Sequence, residues 1–349
     1  MNFLYIDDIK QKRSMNMSKY YKIGYVVDRD LANVTEEDAN ILTHINIAFG
    51  LVEDDKVKTS HLKNTAQIAR IRELNPDIKI VLSVGGWGAG GFSTAVATPA
   101  GQDKFAESAF EAYKNLGLDG IDIDWEYPTI NSAGIDSSPD DKYNFTFMLQ
   151  KIRGALPAGA LLTIAAGAGE YFIAGTEMDK VQKYLDYVML MTYDMASAEM
   201  TVHHTNLYDS NPAINKTSTE SSVRIFNQAG VPLDKLIIGA AFYSREWKDI
   251  DAPGTDGLYQ KKDGWPGFGA RFSDLNENYI DKNGYKKYWD DVAKAPYLFN
   301  GSTFISYDDE QSVKLKCEFI KQQHLLGIMY WEHSCDKTRK LLRAIGANL

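Results

Sequence analysis

Four carboxylates fall within eight positions of one short segment, LGLDGIDIDWEYP (residues 116–128). Side chains of a strand alternate between its two faces. If this segment is a strand, Asp122, Asp124 and Glu126 therefore share one face. The apolar residues that alternate with them share the other face: Ile121, Ile123 and Trp125. Carboxylates about 6.6 Å apart along a strand repel one another unless solvent, a proton or a partner relieves the repulsion. Such a row can supply general acid and base chemistry, and the alternative is a solvated outer face.

The elements around this segment decide between the two interpretations. Short apolar, β-branched runs alternate along the chain with longer stretches of helical periodicity. Eight such strand and helix units predict a (β/α)8 TIM barrel, an α/β fold whose functional groups gather at the carboxyl ends of the strands. The carboxylates lie at one of those ends. The predicted strands are residues 22–27, 44–49, 79–84, 120–125, 161–166, 187–192, 236–242 and 327–331.

The helix after the fourth predicted strand has recognisable start signals. Ser138 is the predicted N-cap and Pro139 the first helical residue, because a proline at that position has no amide proton to leave unpaired. In the loop after the third strand, Thr98 and Pro99 predict a helix start in the same way. In the helix after the fourth strand, the apolar residues follow the helical period at Phe145, Met148, Leu149, Ile152 and Leu156.

The connection after the seventh strand is unusually long. About sixty residues, rich in Trp, Tyr, Phe and Gly, separate it from a helix that begins near Asp308. A structureless loop of that length is uncommon in a compact domain. We therefore predict an inserted α+β subdomain at residues 246–304, with a helix in KKYWDDVAKA, inside a barrel that spans residues 20–349. Residues 1–19 are predicted to be a disordered extension.

Charge and composition exclude several classes of partner. The net charge is −9 and no long Lys/Arg cluster is present, which argues against nucleic acid and anionic membranes. The two cysteines cannot form a disulfide framework. Charged residues at the amino end take the place of the apolar run of a signal peptide. We expect a monomer, with Met17 as an alternative start. The sequence leaves the location open between the cytoplasm and release by another route, with action outside the cell.

Two rival sites deserve comparison. GWGAGG at residues 86–91 satisfies G-x-G-x-x-G, but a dinucleotide site needs these glycines to open a helix, and Pro99 starts the next helix several residues later. The six histidines show no metal-ligand spacing, and His203 with His204 are predicted to lie in the loop after the sixth strand. No cofactor and no metal are expected.

Five motifs, each on a different predicted strand, resemble glycoside hydrolase family 18, the chitinase family. DGIDIDWE matches the family signature D-G-x-D-x-D-x-E at the end of the fourth barrel strand. KIVLSVGGWG resembles the S-x-G-G segment of the third strand, MLMTYD the M-x-Y-D of the sixth and FYSREW the Y-x-R of the seventh, while GIMYW resembles the eighth strand. The resemblance extends from about residue 22 to residue 331, and the predicted insert is also a feature of its chitinase-like branch.

The resemblance implies a mechanism in which the substrate supplies the nucleophile, its own acetamido oxygen. Glu126 would then be the general acid and base, and Asp124 would support the oxazolinium ion as its charge develops. Asp122 would share a proton with Asp124, so that the three carboxylates titrate as a coupled set, and Tyr193 would donate to the acetamido oxygen. The other residues that the resemblance places at the sugar site are Tyr25, Phe49, Trp87, Met191, Asp194, Tyr243, Arg245 and Trp331. For Arg245 the alternative is that it anchors the insert.

Three functions are compatible with this pattern. The first is a chitinase that cleaves β-1,4 bonds between N-acetylglucosamine units of chitin or chitooligosaccharides. The second is an N-acetylglucosaminidase acting on peptidoglycan or on the core of N-glycans; the insert favours chitin, because endo-acting, glycan-releasing members generally lack it. The third is a carbohydrate-binding protein without catalysis, which the presence of Glu126 disfavours. Asp119, Ser83, Gly85 and Gly86 are interpreted as structural residues.

Overall fold

The computed structural model describes residues 20–211 and 217–349. Eight parallel strands follow one another in chain order around a closed barrel, and the first pairs with both the second and the eighth. All eight predicted strands are present, which confirms the (β/α)8 barrel. The first to eighth barrel strands are Tyr21–Val27, His44–Glu53, Lys79–Gly85, Gly120–Asp124, Leu161–Gly167, Tyr187–Met191, Leu236–Ala241 and Gly327–Trp331.

Helices connect the strands and cover the outside of the barrel, so that the strands are buried on both faces. One α-helix after each barrel strand completes the eight units: Glu36–Ile41, Gln67–Leu74, Pro99–Leu116, Asp141–Ala155, Met178–Val181, Thr219–Gln228, Glu310–Gln323 and Lys340–Asn348. Shorter elements occupy the loops. They are the α-helices Phe92–Ala95 and Glu170–Ala174, the 3-10 helices Asp28–Asn33, Ser132–Gly134, Leu233–Lys235 and His333–Cys335, and the strand Lys56–Lys58, which pairs with the second barrel strand.

The two predicted helix starts have different outcomes. Thr98 caps the helix that begins at Pro99, and its side chain accepts a hydrogen bond from the amide of Gly101. The prediction that Ser138 is an N-cap is wrong, because the next helix begins at Asp141. The buried carboxylate of Asp141 accepts hydrogen bonds from the amide of Ser138, from the hydroxyl of Ser93 and from the amide of Thr129, so it ties the start of the helix to neighbouring segments. The five apolar residues predicted for this helix and its end are buried.

The outward face of the fourth barrel strand is apolar, as its alternation predicts. Ile121 and Ile123 are fully buried. Trp125 is also buried and stacks on Phe92, with ring centroids 5.2 Å apart and an interplanar angle of 10°. A second ring, Phe145, meets Trp125 edge-on. This packing fixes the strand against its helices and leaves the carboxylate face directed into the barrel.

The long connection after the seventh strand forms a five-stranded antiparallel sheet with one α-helix, Phe272–Asn278. The sheet begins three residues before, and ends two residues after, the predicted boundaries of 246 and 304. Its strands, in spatial order, are Gly267–Arg271, Tyr243–Trp247, Phe304–Ser306, Ala295–Phe299 and Lys286–Asp290.

The prediction of a helix in KKYWDDVAKA is wrong. Residues 286–290 form a strand, which pairs with the strand Ala295–Phe299. Tyr288 stacks on Tyr297 across this pair, with ring centroids 5.2 Å apart. Cross-strand aromatic packing of this kind stabilises the strand pair, whereas a single-sequence pattern of lysines, acids and alanines favours a helix.

The predicted disorder of residues 1–19 lies outside the described residues. Among residues 20–211 and 217–349, none of the helices has the length and apolarity needed to span a bilayer.

Candidate active site

The carboxyl ends of the barrel strands and the loops that follow them surround a groove with a cavity volume of about 960 Å³. All eight strands or their loops contribute to it, in agreement with the location of functional sites in this fold. Eleven of the twelve predicted site residues line the groove, and the twelfth, Asp122, lies beneath it. The eleven are Tyr25, Phe49, Trp87, Asp124, Glu126, Met191, Tyr193, Asp194, Tyr243, Arg245 and Trp331.

The three carboxylates of the fourth strand and its end form a row of increasing exposure. Asp122 is fully buried, Asp124 is 4% exposed and Glu126 is half-buried at the groove surface. The row is therefore not a solvated outer face. Only Asp124 and Glu126 reach the groove, so these two are the carboxylates of the row that can contact a ligand.

Asp122 is held by three hydroxyl donors from three other barrel strands. Its carboxylate oxygens accept hydrogen bonds of 2.8 Å from Tyr25, 2.7 Å from Ser83 and 2.7 Å from Thr163. Burial raises the pKa of Asp122, and the three hydrogen bonds oppose the increase. The hydroxyl of Tyr25 thus supports the row from below, while its ring lines the groove where the sugar site was predicted. Ser83, which was interpreted as structural, and Thr163, which was not predicted, have the same supporting contact.

Asp124 and Glu126 both hold protons more tightly than ordinary carboxyl groups. Burial raises the pKa of Asp124 well above its usual value, and the charges of Glu126 and Asp122 raise it further. Its Oδ1 is buried and has no hydrogen-bond partner among the described residues. Burial also raises the pKa of Glu126 to about 7, with a contribution from the charge of Asp194, against the opposing effect of Tyr127. A pKa near 7 suits a group that must both donate and accept a proton.

Two glycines let the third barrel strand approach this row. A Cβ atom at Gly85 would lie 2.0 Å from the carbonyl oxygen of Asp124, and one at Gly86 would lie 2.7 Å from the ring of Phe49. Both glycines have positive φ, at 119° and 91°. Only glycine combines this backbone conformation with such close contacts. The S-x-G-G segment therefore supplies both the hydroxyl of Ser83 and the space for Asp124.

Tyr193, at the end of the sixth strand, is 9% exposed. Its hydroxyl lies 3.6 Å from the sulfur of Met329, and its ring meets that of Tyr243 edge-on. Burial and the nearby charges of Asp124 and Glu126 raise the pKa of Tyr193 well above 10. The hydroxyl consequently keeps its proton at neutral pH and can donate a hydrogen bond to a ligand in the groove.

Asp194, which follows the sixth strand, also lines the groove and is paired. Arg245 donates two hydrogen bonds to its carboxylate, of 2.6 and 2.7 Å. Burial alone would raise the pKa of Asp194, but the contacts with Arg245 and His204 hold it well below the usual range. The guanidinium carbon of Arg245 also lies 3.8 Å from the ring centroid of Phe268 in the insert. Arg245 thus joins the sixth-strand loop to the insert.

Aromatic rings form the floor and the rims of the groove. Trp331 stacks on Phe49, with centroids 5.3 Å apart and an interplanar angle of 19°. Trp87, after the third strand, is 66% exposed, and Trp265 and Phe268, in the insert, are 73% and 68% exposed. Flat exposed rings of this kind suit the apolar faces of sugars, while their polar neighbours suit the hydroxyl groups.

The groove also contains aromatic residues that sequence reasoning missed. Tyr127 and Tyr171 pack edge-on beside Glu126, and Trp265 and Phe268 line the side formed by the insert. The identity of the residue after the acid signature was visible, but its contact with Glu126 was not. The aromatic richness of the insert was noted, yet nothing in its sequence indicates which of its rings face the barrel.

The rival interpretations find no support among the described residues. GWGAGG forms a loop followed by the four-residue helix Phe92–Ala95, and the long helix starts only at Pro99. His203 pairs with Asp290, at 3.1 Å, and His204 contacts Asp194. No group of three metal-ligating side chains occurs in residues 20–211 and 217–349. Asp119 accepts hydrogen bonds from Arg72 and from the amide of Ile80, in keeping with a structural role.

Comparisons with known proteins agree with this geometry. Residues 4–336 match the model of the glycosyl hydrolases family 18. The chain is 39% identical over 314 residues to Chitinase A1 of Niallia circulans, covering 82% of this chain and 44% of that protein. It therefore spans less than half the length of that relative. It is also 30% identical to Chitotriosidase-1 of Mus musculus, covering 86% of this chain and 68% of the relative.

Solved structures extend the comparison to the fold. A family 18 N-acetylglucosaminidase from Paenibacillus barengoltzii superposes with a TM-score of 0.92 at 51% identity, covering 95% of this chain and all of that one. Chitinase ChiW from Paenibacillus sp. str. FPU-7 superposes with a TM-score of 0.88 at 40% identity, covering 94% of this chain and 42% of that one. The match of the family model to most of the chain is decisive, and this protein belongs to the glycosyl hydrolases of family 18.

Proposed function

We propose that this protein is a chitinase that hydrolyses β-1,4 bonds between N-acetylglucosamine units of chitin or chitooligosaccharides, with retention of configuration. The observation that carries the proposal is the row of carboxylates under the groove, with Glu126 at its outer end and a pKa of about 7 for that residue. The similarity to Chitinase A1 supports chitin as the substrate class.

The distribution of acids in the groove favours participation of the substrate. Among the described residues that line the groove, the carboxylates are Asp124, Glu126 and Asp194. Asp124 and Glu126 come from one strand and its end, so they approach a sugar from the same side. Asp194 is bound by the two hydrogen bonds from Arg245. A retaining glycosidase without a free carboxylate on the opposite side needs another nucleophile, and the acetamido oxygen of N-acetylglucosamine is one.

Each residue then has a defined task. Glu126 gives its proton to the glycosidic oxygen as that bond breaks, and the acetamido oxygen forms a bond to the anomeric carbon. Asp124 accepts a hydrogen bond from the acetamido N–H and stabilises the positive charge of the oxazolinium ion. The ionised Glu126 next removes a proton from a water molecule, whose oxygen bonds to the anomeric carbon. The bond between that carbon and the acetamido oxygen breaks, so the oxazolinium ring opens and the acetamido group is restored. Tyr193 orients the acetamido oxygen, and Trp331 supports the sugar ring.

The anomeric form of fresh product tests this mechanism. Proton NMR during cleavage of an acetylated oligomer should show the β-anomer first, before mutarotation. Partly deacetylated chitosan should be cut only where the sugar on the non-reducing side of the bond is acetylated. An initial α-anomer, or efficient cleavage after glucosamine units, would show that a protein carboxylate or water attacks directly.

A second candidate is an exo-acting N-acetylglucosaminidase. The observation that favours it is the 51% identity, across the whole of its chain, to the N-acetylglucosaminidase from Paenibacillus barengoltzii. Both candidates use the same row of carboxylates, and they differ in where along the chain the bond is cut. The early products of a six-unit oligomer separate them: release of monosaccharide alone indicates the exo-enzyme, and two-, three- and four-unit fragments indicate the chitinase. A parallel digest of peptidoglycan tests that polymer as a target.

A further inference from the structure

A second cavity, of about 280 Å³, lies in the insert next to the groove. We call it the insert cleft. Its polar lining comes from Glu246, Lys248 and Asp249, which continue the chain after the Y-x-R segment, and from Lys262. Trp265 completes the lining and also lines the groove. The two cavities therefore share one wall, an indole ring.

The shared ring is the most exposed large hydrophobic side chain among the described residues, at 73%. An isolated exposed aromatic residue needs no explanation by itself. Trp265, however, is exposed between two cavities whose other residues are largely polar or already part of the sugar groove. A ring in this position can stack on a sugar that lies across the boundary between them.

The topology places the cleft at the edge of the groove that the insert forms. The barrel strands run in chain order, so the third and seventh strands lie on opposite sides of the mouth. Trp87 follows the third strand and Trp265 belongs to the insert after the seventh, while Glu126 follows the fourth. A chain that crosses the mouth between the two exposed tryptophans is thereby directed over Trp265 toward the cleft.

The charges of the cleft suit a neutral polar ligand. Two acids and two lysines give it no net formal charge, which disfavours a phosphate or a polyanion. Lys248 pairs with Glu246 at 2.8 Å, and the ammonium group of Lys262 has no ion-pair partner among the described residues. Charged donors and acceptors beside one indole can hydrogen-bond the hydroxyl and acetamido groups of a sugar whose apolar face packs on the ring.

We infer that the insert cleft is an auxiliary saccharide-binding site, which takes an N-acetylglucosamine unit from the part of the chain that extends past Trp265. The inference rests on the proposed function for the identity of the sugar. Small-molecule sites typically have volumes of roughly 300–1,000 Å³, and the cleft, at about 280 Å³, falls just below that range, which suits one sugar unit and not a longer segment. It adds affinity for long oligomers and contributes nothing to the short ones that the groove holds alone.

Gly267 offers a way to fill the cleft without touching the groove. It lines the cleft and not the groove, and a Cβ atom there would meet only the side chain of Glu246, at 3.9 Å or more. Gly267→Gln therefore places a polar side chain in the cleft. Val292→Gln is the matched control, because it adds the same side chain at an exposed position elsewhere in the insert.

Binding of three-unit and six-unit oligomers is measured by calorimetry in the Glu126→Gln background, where the ligands stay intact. Gly267→Gln should weaken binding of the six-unit oligomer about fivefold, or roughly 1 kcal/mol, and leave binding of the three-unit oligomer unchanged. The control, Val292→Gln, should bind both oligomers as the background does. Lys262→Ala, which adds no volume, should act in the same direction. Unchanged six-unit binding in both variants, or equal weakening of both oligomers, overturns the inference. Failure of the unmodified background to bind either oligomer instead contradicts the proposed function.

Discussion

Two sets of carboxylates line the same groove and behave in opposite ways. Asp124 and Glu126 have raised pKa values, chiefly because they are buried without a cation. Asp194, whose side chain is 39% exposed at the groove surface, has a lowered pKa because Arg245 donates two hydrogen bonds to its carboxylate and His204 lies beside it. All three have the same functional group, and loss of solvent acts to raise the pKa of each. The difference teaches that the cationic partner, and not the residue type, separates an acid that exchanges protons from a fixed charge.

The two sets also act on each other. Asp194 stays ionised across the neutral range, and its charge raises the proton affinity of Glu126. Arg245 in turn fixes Asp194 in place. The insert thus influences the acid through the pair of Asp194 and Arg245, although it provides no acid of its own to the groove.

The largest effect is expected from the outermost acid. Glu126→Gln keeps the size of the side chain and removes the transferable proton, so kcat should fall by about 10³-fold or more, since general acid catalysis contributes roughly 10²–10⁴-fold. Oligomer binding should persist, because the amide keeps most contacts. Steady-state kinetics and calorimetry check both expectations. Turnover within a few-fold of the unmodified enzyme would remove Glu126 from its assigned role.

The next largest effect is expected at the centre of the row. Asp124→Asn removes the negative charge that supports the oxazolinium ion and should lower kcat by about 10²-fold, the usual scale for one electrostatic contact in a transition state. KM should change little, because the loss occurs mainly after the substrate has bound. A matching increase in KM with unchanged kcat would indicate a role in ground-state binding instead.

A smaller effect is expected from the hydroxyl groups that support the row. Tyr25→Phe removes one of three donors to Asp122 and should lower kcat by about tenfold, since a hydrogen bond to a charged group contributes roughly 1.5–3 kcal/mol. Tyr187→Phe is the control, because that buried hydroxyl has no hydrogen-bond partner among the described residues. Equal losses in the two variants would mean that the hydroxyl of Tyr25 has no special connection with the row.

Much of this site could be predicted because strand periodicity and motif order are local properties. The alternation in GIDIDWE predicted three carboxylates on the inward face, and the order of five motifs placed eleven predicted residues around one groove. Contacts between distant segments could not be predicted. The hydrogen bond from Thr163 to Asp122 joins residues 41 positions apart in the chain, and the hydrogen bond from Arg245 to Asp194 joins residues 51 positions apart.

The error in the insert has the same origin. KKYWDDVAKA has good helix formers, but Tyr297 on a neighbouring strand stacks on Tyr288 and the segment forms a strand. In this segment a contact with another strand overrides a local helix preference of about 1 kcal/mol or less.

The smallest effect is also the sharpest test of the comparison between the two sets. Because Glu126 must be protonated to cleave the bond, kcat/KM should fall as the pH rises through about 7, the pKa of that group. Asp194→Asn removes a negative charge that favours the protonated form of Glu126, so the alkaline limb should move to lower pH, by about half a unit to one unit. Asp291→Asn, which removes the same charge from an exposed site in the insert paired with Lys294, should leave the limb in place. If Asp194→Asn lowers activity equally at every pH, then Asp194 acts only by contact with the sugar, and the influence of the insert on the acid is disproved.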